Sequence, residues 1–348
     1  MSGFISLPGP VAGTAPETMI WGLLILMVPL AMLASLSSGR VDLGPLAVLD
    51  VFAAKLGGGL VDPYQAAIVF NARLPRILAA ALSGAGLAAC GAALQGCFRN
   101  PLVGPQTIGV LNGAGFGGSL MIFLGAGQLA VMGGAFAIGL ATMLLVVWLA
   151  RLGGRDSILM LVLAGIVISS LMAAFTTLLQ YVADPERQLP QLVFWLMGSF
   201  ARSTPTTLLW IAPPILIGTA LLWAYAFRIN ILASGEEEAE ALGLRVARDR
   251  RTILGAVAIV SAAVVSVAGI IGWVGLVVPH LARLVVGPNH SRLIPASALI
   301  GAAYLTLVDT LSRSLTAAEL PIGAITALLG APVFIAVLRR SLKAGAMS

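Results

Sequence analysis

Charge is scarce in this chain. Only 10% of its 348 residues are Asp, Glu, Lys or Arg, against about 25% in ordinary soluble domains. So few charges cannot cover a globular surface of this size, which excludes a soluble fold. Lysine is almost missing: Lys55 follows Ala54, and Lys343 follows Leu342. A phosphate-binding P-loop needs Gly-Lys-Ser/Thr, whose lysine reaches the β- and γ-phosphates. Neither lysine has that setting, so any ATP hydrolysis falls to another chain. The only histidines are His280, after Pro279, and His290. With no HExxH and no ionisable cluster at one predicted depth, a membrane-embedded enzyme lacks its parts. Both histidines read as packing or loop residues, and no metal site is expected. Cys90 and Cys97 stand seven positions apart on one predicted helix, roughly 10 Å along its axis. That is too far for a disulfide.

Apolar sequence is what the chain has instead. Hydrophobic residues make up 59% of it, and the mean hydropathy is +1.01. We read residues 1–348 as a single all-α transmembrane domain. Runs bounded by Gly, Pro and charge predict ten spans of about 20 residues: Met19–Ser38, Arg76–Cys97, Thr107–Leu124, Leu129–Ala150, Ser157–Val182, Thr206–Phe227, Arg251–Ile270, Gly272–Val286, Ile294–Ser312 and Pro321–Leu338. The first lacks a basic leader and is taken as a retained span. Gln191–Phe200 is apolar but too short to cross, so a half-inserted element is expected there. An even number of spans puts both termini on one side. That side carries thirteen basic residues, including Arg99, Arg151, Arg155, Arg245, Arg339 and Arg340. The other side carries seven, among them Arg40, Lys55, Arg187 and Arg202. The positive-inside rule therefore makes the termini cytoplasmic. The same rule accounts for the net charge of +6 without any nucleic-acid partner.

Small residues recur every four positions along two predicted helices. Gly84, Ala88, Ala92 and Gly96 form one stripe, and Gly109, Gly113 and Gly117 the other. Such stripes let a neighbouring backbone approach closely, either within one subunit or across a dimer seam. Val103–Gln106 (VGPQ) and Val286–Asn289 (VGPN) echo one another, too briefly to define a repeat.

One polar island interrupts the apolar sequence. Arg228–Arg251, RINILASGEEEAEALGLRVARDRR, holds ten of the charged residues. Glu236, Glu237 and Glu238 suit the first turn of a helix, where carboxylates complement the dipole, and Gly243 suits its stop. Asp309 is the one acid well inside a predicted span. Unpaired, it would cost about 2.5–3.5 kcal/mol, and Arg313, four positions on, is within pairing reach.

Three blocks, together with the island's EALGL, carry a family resemblance. They are RLPRILAAALSGAGLAACGAALQGCFRNPLVGPQTIGVLNGAG (Arg73–Gly115), GWVGLVVPHLARLVVG (Gly272–Gly287) and the stretch from Leu293 to Arg340 that contains LVDTLSRS and LPIGAITALLGAPV. In this order they resemble the permeases of type II ABC importers, which take up vitamin B12, iron–siderophores, haem and, in one branch, molybdate or tungstate. Trp273 departs from the family's more familiar Phe. The resemblance implies a homodimer of ten-helix subunits in the bacterial inner membrane. Two cytoplasmic ATPase subunits, holding the ATP and Mg, would sit below it, and a periplasmic binding protein above. This chain itself would hold no cofactor.

It further implies a coupling helix at Glu236–Leu244, with Glu236, Glu237, Glu238, Ala241, Leu242 and Gly243 meeting the ATPase. Arg73, Arg76 and Arg313 would receive acidic residues of the binding protein, since guanidinium holds a carboxylate bidentately. Interfacial anchoring is the other reading of Arg73 and Arg76, and the Asp309 pair is the other reading of Arg313. The fifth span and Gln191–Phe200 are candidates for lining and gating the path. Metal chelates are the expected cargo, with Leu179–Glu186 and Phe194–Phe200 pointing to the molybdate branch as the alternative. An ion-coupled secondary transporter is the competing class, and it rests on Asp309 alone.

Overall fold

The computed structural model describes residues 16–39, 41, 43–59, 62–152, 158–316 and 318–345, with side chains to residue 336. Arg40 and Arg155 of the charge count, and Ser157 at the start of the fifth predicted span, lie outside these. So do the side chains of Arg339, Arg340 and Lys343. The described chain is helical in fifteen α-segments. They are α1 (Glu17–Ser37), α2 (Pro45–Gly57), α3 (Pro63–Ala66), α4 (Leu74–Cys97), α5 (Val110–Phe123), α6 (Gln128–Leu152), α7 (Ile158–Val182), α8 (Gln188–Leu196), α9 (Pro205–Ala224), α10 (Ala226–Ser234), α11 (Glu236–Ala241), α12 (Val246–Ala268), α13 (Val274–Val286), α14 (His290–Ser314) and α15 (Ile322–Gly345). Among the described residues, seven helices are long and apolar enough to cross a membrane, and three shorter apolar ones occupy the remaining predicted spans.

Between the first two predicted spans, hydropathy alone indicates no helix over residues 39–75. The structure instead folds α2 there and extends the second span back to Pro63, joined to α4 by a π-helical stretch, Ala67–Arg73. The local signals were present. Pro45 and Pro63 occupy first-turn positions, where a missing N–H costs nothing, and Asp62 caps by accepting from the Tyr64 N–H at 3.0 Å. The apolar stretches between them were too short to register as spans. The seventh span likewise starts at Val246 rather than Arg251, because Arg250 and Asp249 are buried in ion pairs and no longer mark an exposed boundary.

α4 lies at the centre, buried on nearly every side by α9, α12, α13 and α14. Its many Gly and Ala residues let neighbouring helices approach on several faces at once. Its small stripe faces α14: a Cβ on Gly84 would overlap the Gly301 carbonyl, and one on Gly301 would overlap the Gly84 carbonyl. Gly91, between stripe positions, meets the Gly275 carbonyl of α13, and Gly96 meets the His290 ring. The second stripe works similarly. Gly113 sits on Thr142 and Gly117 on the Gly134 carbonyl, both of α6, while Gly109 faces Gly165 of α7. Both stripes thus pack within the subunit. Replacing Gly301 by Leu should therefore destabilise the bundle by about 1–3 kcal/mol or more through overpacking. Gly22→Leu, where a side chain meets nothing within 4 Å, should be silent. Thermal melting of the two variants in detergent tests this, and equal melting would remove the close approach as a stability element.

The short apolar stretch Gln191–Phe200 falls on α8, nine residues long from Gln188, and on the turn that follows it into the bundle. Leu192 and Phe200 are fully buried, and the Trp195 indole occupies the space that Gly118 leaves open. After α8, the Ser199 N–H donates to the Ala268 carbonyl at 2.9 Å, the Ile322 N–H to Gly198 at 3.2 Å and the Gly323 N–H to Met197 at 3.2 Å. The end of α8 is therefore stitched by backbone to the end of α12 and the start of α15.

Candidate coupling and docking sites

The polar island folds as three short pieces: α10, α11 and the first turn of α12. Two ion pairs brace it. Arg228 reaches Asp249 at 2.5 Å and Arg250 reaches Glu236 at 2.5 Å. Glu236 is thus half committed to an internal partner, whereas Glu237, Glu238 and Glu240 are exposed. Ala239 is buried beneath the helix. Ala241 and Gly243 are exposed, and Leu242 presents 67% of its surface. The helix closes with a Schellman turn, the Leu244 N–H bonding the Ala239 carbonyl at 3.0 Å and Gly243 bonding Glu240 at 2.9 Å. Gly243 has φ +81°, a conformation that costs other L-residues about 1–2 kcal/mol. The product is a rigid knob with four acids around an apolar tip.

The island is tied to the bundle through Asn230. Its Oδ1 accepts from both the backbone N–H and Nδ1 of His290, each at 2.8 Å, and its amide donates to Asn289 at 2.9 Å. His290 in turn fills the space over Gly96 of α4. His280 donates through Nε2 to the Pro101 carbonyl at 3.1 Å. Both histidines are thus held by protein groups. Among the described residues no cluster of His, Cys, Asp and Glu is arranged to hold a metal, and Cys90 and Cys97 are buried free thiols. Trp273, the departure from the family pattern, starts α13 at φ +68° with its side chain against Gly330.

The three arginines singled out for docking gather at the other end of α4, about 30 Å from Gly96 at 1.5 Å per residue. Arg73 donates to the Leu36 and Val41 carbonyls, and to Ser37 at 3.4 Å. Arg313 donates to the carbonyl of Ser35 and, at 2.7 Å, to that of Ser38. Apart from Val41, which lies just beyond, these carbonyls belong to the last turn and C-cap of α1, a setting that favours cations. Both arginines are buried, at 7% and 9% exposure. Gly39 passes so close that a Cβ there would lie 2.7 Å from Arg73 Nη2 and 2.8 Å from Arg313 Nη1.

Arg76 has a different task. Its Nε and Nη2 hold Asp309 bidentately at 2.9–3.1 Å. The Asp309–Arg313 pair expected from sequence is present but longer, at 3.8 Å. Sequence reasoning missed Arg76 as the main partner of Asp309, because 233 residues separate them and only the α4–α14 packing brings them together. It also missed Glu319, which takes the remaining edge of Arg76 at 2.8 and 3.0 Å.

Buried small-residue helices, a braced acidic knob at one end and an arginine cluster at the other agree with what the sequence comparison decides. Residues 24–340 match the FecCD transport family. The chain belongs to that family. It is similar to the molybdate import system permease protein MolB of Haemophilus influenzae, with 44% identity covering 94% of this chain and 97% of that protein. It is also 42% identical to the cobalamin import system permease protein BtuC of Halobacterium salinarum, over 84% of this chain and 79% of that one. Among solved structures it resembles a metal-chelate type ABC transporter in an inward-facing conformation. The TM-score is 0.83 with 41% identity, covering 93% of this chain and all of that one. This FecCD-family chain is the multi-span permease subunit of an ABC importer, without an ATPase site of its own.

Proposed function

We propose that two copies of this permease form the path of an ATP-driven importer, with both termini and α11 in the cytoplasm. Two ATPase subunits bind and hydrolyse ATP with Mg and grip α11. Glu237, Glu238, Glu240 and Leu242 make the contact, while Glu236 keeps the knob braced. One observation carries this reading: α11 is an exposed, internally braced turn in a chain that has no P-loop lysine. A periplasmic binding protein docks its carboxylates over Arg73, Arg76 and Arg313. The exposed apolar side of α7, which includes Leu159, Leu163, Val167 and Leu171, lines the path and the seam between copies. Asp309, the acid on which an ion-coupled mechanism would rest, is taken up by Arg76 and Arg313.

The cargo we propose is a metal chelate: an iron–siderophore, haem or cobalamin. The metal-chelate type neighbour at TM-score 0.83 supports this class. Molybdate or tungstate is the second reading, favoured by the near full-length similarity to the molybdate permease. Proteoliposomes holding this chain, its ATPase and its binding protein should take up one of these radiolabelled compounds only with ATP and all three proteins present. Uptake that persists without the ATPase, driven by a proton or sodium gradient, would refute the importer reading. The compound retained by the purified binding protein distinguishes the two cargo classes.

A further inference from the structure

A guanidinium has two edges suited to carboxylates, and in Arg76 both are filled. The inner edge, Nε and Nη2, holds Asp309, whose side chain is 1% exposed. The outer edge, Nη1 and Nη2, holds Glu319, which is 29% exposed and lies in the non-helical segment between α14 and α15. The two partners are therefore unequal: one is fixed in the bundle, the other lies at its surface on irregular backbone. A cleft of about 230 Å³ opens beside them, lined by Gly39, Val41, Arg73, Arg76, Arg313 and Glu319. Glu319 has a further contact, with Ser199 Oγ donating to it at 3.4 Å. Ser199 belongs to the turn that stitches α8 to α12 and α15.

We propose that Glu319 is an internal stand-in for the binding protein's carboxylate. It occupies the outer edge of Arg76 until an acidic side chain of the docked protein replaces it. This rests on the docking reading above and adds its regulation. Docking then exchanges one carboxylate for another, so Glu319 lowers docking affinity. The exchange also withdraws Glu319 from Ser199, carrying the docking event to the root of α8. The guanidiniums of Arg73, Arg76 and Arg313 line this cleft, and guanidinium holds carboxylate bidentately, so the occupant is an acidic side chain of a docked protein.

The test uses the complete importer in lipid nanodiscs and its own binding protein, with docking affinity measured by interferometry over a range of salt. Glu319→Gln keeps the size and hydrogen-bonding capacity of the side chain and removes the competing charge. It should tighten docking about two- to fivefold, the worth of an exposed ion pair expressed as a binding ratio, and steepen the salt dependence. Arg76→Lys retains a charge for Asp309 but cannot serve two carboxylates bidentately, and it should weaken docking. Glu186→Gln removes an exposed acid beyond α7 that does not line this cleft, and should leave docking unchanged.

If Arg76→Lys weakens docking but Glu319→Gln leaves it unchanged, competition by Glu319 is overturned while the docking reading stands. If Arg76→Lys has no effect, the docking reading itself fails at this residue. Equal tightening by Glu186→Gln reduces the effect to general surface charge and overturns the proposal. Sodium molybdate alone binding the wild type and not Arg76→Lys would make the cleft an oxyanion site instead, again overturning it.

Discussion

Glu237→Lys combined with Glu238→Lys is expected to remove most ATP-driven uptake while the permease still folds and still docks its binding protein. Both side chains are exposed, and neither is needed for the ion pairs that brace the island. Reversal at Glu236 is a poorer test, since it would set a lysine against the buried Arg250. Central contact residues at interfaces contribute about 2 kcal/mol or more, so uptake should fall at least about tenfold. Leu242→Asp, which turns the apolar tip polar, should act in the same direction. Gly243→Val forces a β-branched residue to φ +81° with no neighbouring atom to clash against, so its effect should stay within the knob. The measurements are ATPase stimulation by the binding protein and uptake in proteoliposomes, with melting temperature as the folding control. Normal coupling in the double lysine variant would place the ATPase contact elsewhere.

Arg76→Ala should have the largest effect on stability. It leaves Asp309 with Arg313 at 3.8 Å as its one remaining ion-pair partner among the described residues. Removing one member of a buried pair typically costs about 3–5 kcal/mol, because the other charge stays buried without compensation. Adding Asp309→Asn to the same chain should restore much of that loss, since a neutral amide tolerates the site better. Glu319→Ala, at the exposed edge, should cost no more than about 1 kcal/mol. Thermal unfolding in detergent separates these cases. If the Arg76→Ala variant melts no higher after Asp309→Asn is added, the uncompensated charge is not what destabilises it.

Much of the architecture was readable before any contact was known. Ten apolar segments appear where hydropathy placed them, and α8 appears where a short apolar stretch had no length to cross. The knob at Glu236–Leu244 was legible because acids at a helix start and glycine at its end follow local backbone rules. The region 39–75 was not, because its apolar stretches, α2 and the π-helical AIVFNAR before α4, are each too short to register as spans. The arginines show a different limit. Arg73, Arg76 and Arg313 were identifiable as a group, yet Arg73 and Arg313 hold the end of α1, and Arg76 holds two acids.

The sequence by itself determined the solvent, the number of apolar segments, the lack of an ATP site and the position of the acidic knob. These follow from composition, from periodicity and from interactions within a few residues. Tertiary structure decided which charge meets which. Gly84 and Gly301 allow α4 and α14 to touch backbone to backbone, and that contact puts Arg76 beside Asp309 across 233 positions of chain. In a membrane interior a charge must be paired by whatever helix packs against it, and no local pattern records which helix that will be.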